Sequence, residues 1–354
     1  MSNYLFVAGN FQHVEKLKEY FEEELGSGDK DSSFQKISDE KSIFIIERRN
    51  DCVKSSIINQ NSGESVFFRG QALDHETSSM ILGINGFADF QIKHHEYLNP
   101  NQIADFEGTF VLARWNESKL TIQTDLYSIY RLIYFANDEI AIISDSLRLI
   151  VECMKVLNIE RKPNGEVLTM KAWNASGLPN APFTKELIVK GVYTLQVGKH
   201  LELNLSSNKL EPKCVERPVM SIFQSSSLSY EELLRDCAIK MYSSINFLIK
   251  SFNPAINFGL SGGIDSRLLL SLCLRSKEIM DLVIVNTNTN PGKSNDFDVV
   301  ETLSKKYGFR FNDIKHKNQI LENIDSKRIK IENKYGFWIL GSLGIYDSFY
   351  FTPY

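Results

Sequence analysis

Tyr4-Leu5-Phe6-Val7-Ala8 is an uninterrupted apolar run that predicts a buried strand, and past Gly9-Asn10 the spacing changes to that of a helix. Phe11, Val14, Leu17, Tyr20, Phe21 and Leu25 then fall on one face, and Gly26 ends the segment. Strands follow over 42–46 and 55–59, the second turning through Asn61-Ser62-Gly63 into Ser65-Val66-Phe67-Phe68 as a hairpin. The pattern weakens between Gly70 and Asp105, where a helix over 74–82 precedes irregular chain. Strand patterning returns over 109–115, 120–124, 132–136 and 140–143, with turns at Asn116-Glu117-Ser118 and Asn137-Asp138, which makes an antiparallel meander. Ser144 is placed to cap a helix reaching Leu157, with Leu147, Ile150, Val151 and Met154 toward a core. Another hairpin is predicted over 190–205, around Val197-Gly198-Lys199.

Between Asn208 and Ser229 the periodicity breaks at Pro212, Pro218 and Ser225-Ser226-Ser227, which predicts a linker over 209–228 between a domain at 1–208 and another at 229–354. Ser229-Tyr230-Glu231-Glu232 fits a capping box opening a long helix, with Leu233, Cys237, Met241, Ile245 and Leu248 as its apolar face. Then come a strand, loop and helix at 258–267, a strand over 282–285, a helix over 298–307 stopped by Gly308, and a strand over 309–314. Strands alternating with helices imply a parallel, doubly wound sheet, whose ligand site lies at the carboxyl ends of the strands.

A chain of 354 residues can hold two such domains, and 24% charged with 43% hydrophobic residues is ordinary for a soluble globular protein. The net charge of -4 gives no general electrostatic ground for a nucleic-acid partner. Cys52, Cys153, Cys214, Cys237 and Cys273 show no Cys-x-x-Cys spacing, so neither a zinc knot nor a disulfide framework is indicated, and most are expected in the core. No basic, apolar leader opens the chain and no segment approaches the ~18 apolar residues that span a bilayer, so the expectation is a cytoplasmic protein without a membrane partner.

The chemistry concentrates in Leu260-Ser261-Gly262-Gly263-Ile264-Asp265-Ser266. Gly262 and Gly263 let the backbone turn tightly and approach a ligand closely. Their amides and the first turn of the following helix make an anion site suited to phosphate, with Ser261 and Ser266 as hydroxyl donors. A carboxylate there repels phosphate unless a cation such as Mg2+ lies between them, which reads Asp265 as a metal ligand. The loop has neither the Lys of a Walker A sequence nor G-x-G-x-x-G spacing. The plainer alternative is a β-α turn with packing glycines and Asp265 as the helix cap.

Ser261 to Ser266 resembles the pyrophosphate loop of the ATP pyrophosphatases, in the Leu-Ser-Gly-Gly-x-Asp-Ser form of the asparagine synthetase branch. Upstream, in the same order as in that family, Phe106 to Val111 resembles Leu-x-Gly-x-Phe-Ala and Trp115-Asn116 resembles Trp-Asp. Thr124 to Tyr134 resembles Arg-Asp-x-x-Gly-x-x-Pro-Leu-Tyr-Tyr, and Ile143 to Arg148 stands for Ala-Ser-Glu-x-Lys-x-Leu. The resemblance to asparagine synthetase-like proteins implies an α+β amino-terminal αββα (Ntn-hydrolase-like) domain, followed by an α/β parallel-sheet ATP pyrophosphatase (adenine nucleotide α-hydrolase-like) domain. It implies ATP and Mg2+ at Ser261, Gly262, Gly263, Ile264, Asp265 and Ser266, with Asp265 on the metal. The implied reaction activates a small-molecule or peptide carboxylate as an acyl-adenylate with release of pyrophosphate, and an amine or ammonia then displaces AMP; the resemblance leaves room for a homodimer.

Two departures qualify it. Glutamine-using members have a cysteine after Met1, whereas this chain has Ser2, and their oxyanion Asn-Gly best matches Arg69-Gly70, with Asn85-Gly86 as the other register. A serine hydroxyl needs a nearby base to attack, so no glutaminase is expected, and the catalytic residues are left unassigned. The family's second loop, Ser-Gly-Glu-Gly-x-Asp-Glu, has no good counterpart; Gly341 to Asp347 imitates it poorly. The apolar, aromatic tail from Trp338 to Tyr354 is expected either to pack as a core helix or to be the edge of an incomplete domain. The alternative function is a non-catalytic or truncated member that keeps nucleotide binding only. A sulfur-inserting tRNA-modifying enzyme is disfavoured, since no paired cysteines or basic surface are evident.

Overall fold

The computed structural model describes residues 4–25, 30–48, 57–59, 64–74, 79–93, 107–125, 128–173, 185–217, 228–252, 256–287 and 296–312. In chain order its elements are β1 (Tyr4–Asn10), α1 (Phe11–Leu25), β2 (Lys30–Lys36), β3 (Lys41–Arg48), β4 (Ile57–Asn59), β5 (Ser65–Asp74), β6 (Ser79–Leu82), α2 (Gly83–Lys93), β7 (Glu107–Trp115) and β8 (Lys119–Thr124). They continue as β9 (Ile133–Ala136), β10 (Ile140–Ser144), α3 (Leu147–Val156), α4 (Gly165–Trp173), β11 (Val192–Thr194), β12 (Lys199–Asn204) and β13 (Lys213–Glu216). The last are α5 (Tyr230–Phe252), β14 (Ile256–Gly259), α6 (Ile264–Cys273), α7 (Lys277–Leu282), β15 (Val283–Asn286) and α8 (Asp296–Tyr307). The chain divides into two compact units, the first built on antiparallel sheets and the second on parallel strands.

In the first unit one sheet has the order β11-β9-β10-β1-β3-β2 and the other β13-β12-β8-β7-β5-β4, with β6 beside β5. Successive strand residues point to opposite faces, and here both faces are apolar. Tyr4, Phe6 and Ala8 of β1, Ile43 and Ile45 of β3, Phe67 of β5, and Val111, Ala113 and Trp115 of β7 share one core between the sheets. The residues between them point outward: Leu5, Val7, Phe44 and Ile46 pack beneath α1 and α3. On the other sheet Val66, Phe68, Phe110 and Leu112 pack with Ile84 and Phe87 of α2. The result is the αββα sandwich, and it explains why these strands read as unbroken apolar runs rather than as alternating ones. Each fully buried Leu, Ile, Val or Phe contributes about 1.5–3 kcal/mol, so three stacked apolar layers carry this unit.

Four expectations change. The helix over 74–82 is instead the end of β5 and the strand β6, and α2 begins only at Gly83, because Met80-Ile81-Leu82 is too short a run to declare its period. The hairpin over 190–205 is not one: β11 pairs with β9 in one sheet, whereas β12 pairs with β8 and β13 in the other. Leu195 is buried in the inter-sheet core, and Gly198, at φ +74, lies in the segment that carries the chain across. Ser146 rather than Ser144 caps α3, accepting from Leu149 N at 3.2 Å, because the Ser144 hydroxyl donates to Tyr4 O at 2.6 Å and ties β10 to β1. Finally, residues 213–217, expected in the linker, form β13 and the buried Arg217.

In the second unit β14 and β15 are parallel, with Ile256 opposite Val283 and Gly259 opposite Asn286, and Phe311 bridges Val285 in the same sense. Leu260, Leu270, Val285, Val300 and Phe309 form the core. The capping box is present: Ser229 N donates to Glu232 Oε2 at 2.8 Å and Glu232 N to Ser229 Oγ at 3.3 Å. The predicted apolar face of α5 holds in part: Ile245 packs, with Tyr242, against Cys273 and Ile279, whereas Leu233 and Cys237 are exposed. Cys153 and Cys273 are buried, Cys214 and Cys237 are not, and all four are free thiols; Cys52 lies outside the described residues. Among the described residues no helix is long and apolar enough to cross a membrane, which says nothing of a β-barrel. Ser2, the poor second loop and the tail lie outside the described residues.

Candidate functional site

The loop after β14 stands at the carboxyl end of a parallel strand and runs straight into α6, as its composition predicts. Leu260 N donates to Asn286 O at 2.8 Å, which ends the pairing of the two strands and releases the chain into Ser261. Ser261 N donates to Ser266 Oγ at 3.1 Å, the two hydroxyls lie 3.0 Å apart, and Gly263 N donates to Ser261 Oγ at 3.2 Å. The serines therefore brace the loop itself. The cap of α6 is Gly263, at φ -70 and ψ 154, and it supplies no side chain to bond the first amides of the helix. Asp265 is not the cap; it is exposed in the first turn, beside Ile264, which is 75% exposed.

Neither glycine of the loop has a positive φ, so their value is space rather than a left-handed turn. A Cβ on Gly262 would stand 2.8 Å from Asp296 Oδ1, and one on Gly263 would stand 3.2 Å from Ser261 Oγ. Asp296, in the first turn of α8, takes the Gly262 amide at 2.7 Å. The sequence placed that helix two residues later, at Asp298, and so did not bring Asp296 to the loop. The same edge holds Thr287 and Asn312, at the ends of β15 and of the Phe311 strand. Asn312, at φ +58, accepts Thr287 N at 2.8 Å, while the Thr287 hydroxyl, in a residue 4% exposed, and the Asn312 Nδ2 have no partner among the described residues. Only the position of these two polar residues after apolar strands could have signalled them. A cleft of about 700 Å³ lies at the opposite, amino ends of the same strands, lined by Lys277, Met280, Tyr307 and Arg310, away from this chemistry.

The donor set suits a polyphosphate with a divalent cation. Gly263 leaves the backbone open to close approach, α6 presents its amino end, Asp265 is exposed, and a buried hydroxyl at the edge has no partner among the described residues. Ser261, Gly262, Gly263, Ile264, Asp265 and Ser266 are brought together by the loop alone.

The first unit treats its corresponding residues differently. Gly70, at φ +112, would place a Cβ 2.2 Å from Thr109 O, so a residue with a side chain does not fit there. Asn85-Gly86 lies inside α2, which removes the other register. Ser128 is left-handed at φ +52. Asp125 accepts Ile129 N at 2.9 Å and Tyr130 N at 2.7 Å, holding the bend after β8. Arg217 donates to Thr124 O at 2.8 Å and Asp125 O at 3.3 Å; burial pulls its guanidinium below the ordinary value, with the Asp125 charge acting the other way. At the start of β1, Tyr4 faces Glu47 across the strand pair, and Glu47 is bound to Arg69, their side chains 5% and 13% exposed. Burial, then the charge of Asp145 and the neighbouring Tyr130, push the Tyr4 phenol well above its ordinary value. The Glu47–Arg69 ion pair thus joins the two sheets beside Tyr4.

No family model matches the chain, and no curated protein sequence matches it. Among solved structures the chain is similar to a B. subtilis glutamine phosphoribosylpyrophosphate amidotransferase in complex with ADP and GMP, with 9% identity over 60% of this chain and 49% of that one, at a TM-score of 0.36. It is also similar to an allosteric regulatory enzyme of purine biosynthesis, with 8% identity over 84% of this chain and 69% of that one, at a TM-score of 0.38. The chain thus spans about half the length of the first of these proteins.

Proposed function

We propose that the second unit binds ATP with Mg2+ at Ser261 to Ser266, and that the chain is an ATP-dependent, amide-bond-forming ligase of the asparagine synthetase type without its own glutaminase. The observation that carries this reading is the loop: two glycines with extended or open backbone at the carboxyl end of a parallel strand, feeding a helix whose amino end has no side-chain cap. Loop amides and the helix end stabilise phosphate charge as it develops on the leaving pyrophosphate, typically by several kcal/mol in a preorganised site. Mg2+ held by Asp265 would neutralise that charge when bound. The substrates are a small-molecule or peptide carboxylate and an amine or ammonia. The Arg69–Glu47 pair beside β1 supports the absence of a glutaminase, since the residue at the oxyanion position is committed to a buried carboxylate.

Steady-state assays test both halves. With ATP, Mg2+, a carboxylate panel and ammonia, pyrophosphate should be released, and with glutamine alone no glutamate should appear. ATP binding without pyrophosphate release under any pairing would leave nucleotide binding as the whole function, and glutamate release lost on Ser2→Ala would overturn the second half.

A further inference from the structure

Asp296 is 34 residues from Gly262 in sequence, yet its Oδ1 accepts the Gly262 amide at 2.7 Å. A carboxylate oxygen on a backbone amide offers the charge and direction that a phosphate oxygen would offer at the same N–H. The neighbouring amides are held differently: Ser261 N by the Ser266 hydroxyl and Gly263 N by the Ser261 hydroxyl, both neutral acceptors. Of these three amides, the one bonded to a full negative charge is the one whose missing side chain leaves room for it. At the same strand ends the Thr287 hydroxyl is buried with no partner among the described residues, so hydrogen-bonding capacity remains there while the loop's Gly262 amide is occupied.

We infer that Asp296 is an internal counter-anion of the loop: it holds the Gly262 amide in the ligand-free protein and yields it to a polyphosphate, and it makes the loop favour a polyphosphate that arrives with a divalent cation over a bare one. The inference rests on the ATP reading given above. A displaced Asp296 carboxylate stays beside the incoming phosphate and repels it, as does Asp265. A divalent cation between the carboxylates and the phosphate turns that repulsion into attraction. Asp296 is thus a positioning residue, touching the loop rather than any reacting atom.

The test is calorimetric titration of the full chain with inorganic pyrophosphate and with ATP, in EDTA and in Mg2+. Wild type is compared with Asp296→Asn, which keeps an acceptor oxygen and drops the charge, and with Asp296→Ser, which removes the contact. In EDTA, Asp296→Asn should bind pyrophosphate about tenfold tighter than wild type, a change of about 1.4 kcal/mol, and in Mg2+ that gain should vanish or reverse. In the ligand-free protein, hydrogen exchange at the Gly262 amide should speed up in Asp296→Ser and change little in Asp296→Asn. Equal pyrophosphate affinity of wild type and Asp296→Asn in EDTA, with ATP still bound in Mg2+, would overturn the role of Asp296 and leave the ATP site standing. Unchanged Gly262 exchange in Asp296→Ser would overturn the contact itself. Failure of every form to bind either probe would overturn the ATP site and this inference together.

Discussion

The amino end of β1 and the carboxyl end of β14 are both places where the sequence concentrates chemistry, and they are finished in opposite ways. At β1 the charged groups close on one another: Glu47 binds Arg69 across the two sheets, and Asp125 is held by two amides while Arg217 grips the carbonyls beside it. At β14 the serines and Asp296 also bond within the loop, but Asp265 and Ile264 are exposed, and the buried Thr287 hydroxyl has no partner among the described residues. Buried polar groups in folded proteins are normally bonded, so the Thr287 hydroxyl at the edge of an exposed loop marks a place to test for a ligand.

Breaking the closed end should have the largest effect. Glu47→Ala leaves the Arg69 guanidinium buried without its carboxylate and should cost about 3–5 kcal/mol of stability, read by urea unfolding followed through tryptophan fluorescence. The double change Glu47→Leu with Arg69→Met should recover most of that loss; a single change costing under about 1 kcal/mol would mean that the pair does not close this end. Gly70→Ala comes next. Its Cβ meets Thr109 O and its φ is left-handed, so a loss of about 1–3 kcal/mol is expected in the same assay, with no effect on nucleotide binding. At the open edge the sign inverts: Thr287→Val removes a buried hydroxyl that has no partner and should raise stability by about 1 kcal/mol while weakening ATP. A loss of stability there would show that the hydroxyl is satisfied and would erase the contrast.

How far the sequence carried follows from what each signal encodes. The loop and the strand ahead of it were legible because glycine and serine between two apolar runs is a local pattern, and local geometry obeyed it. The strands of the sandwich were legible as strands, since Tyr4 to Ala8 or Thr109 to Trp115 must be buried on both faces. Their sheet membership was not, because 190–205 carries the same apolar-turn-apolar signal whether its two halves pair with each other or, as here, with β9 and β8 in separate sheets. Asp296 was missed for a different reason: its bond to Gly262 spans the β15 and α8 connection, and nothing within either segment records it. Ser144 was misread because its hydroxyl answers to Tyr4, which precedes it by most of the first unit.

The central claim is that the Ser261 to Ser266 loop is the nucleotide site, and calorimetric titration of ATP with Mg2+ into the full chain and its Gly263→Val and Asp265→Ala variants tests it most directly. Gly263 has an extended backbone that valine also adopts, and its Cβ would meet only Ser261 Oγ, so the valine variant should fold and fail on the close approach of phosphate alone. The account predicts binding by wild type, a loss of at least about tenfold for Gly263→Val, and a reduced dependence on Mg2+ for Asp265→Ala. Unchanged ATP affinity and Mg2+ dependence in both variants would contradict it.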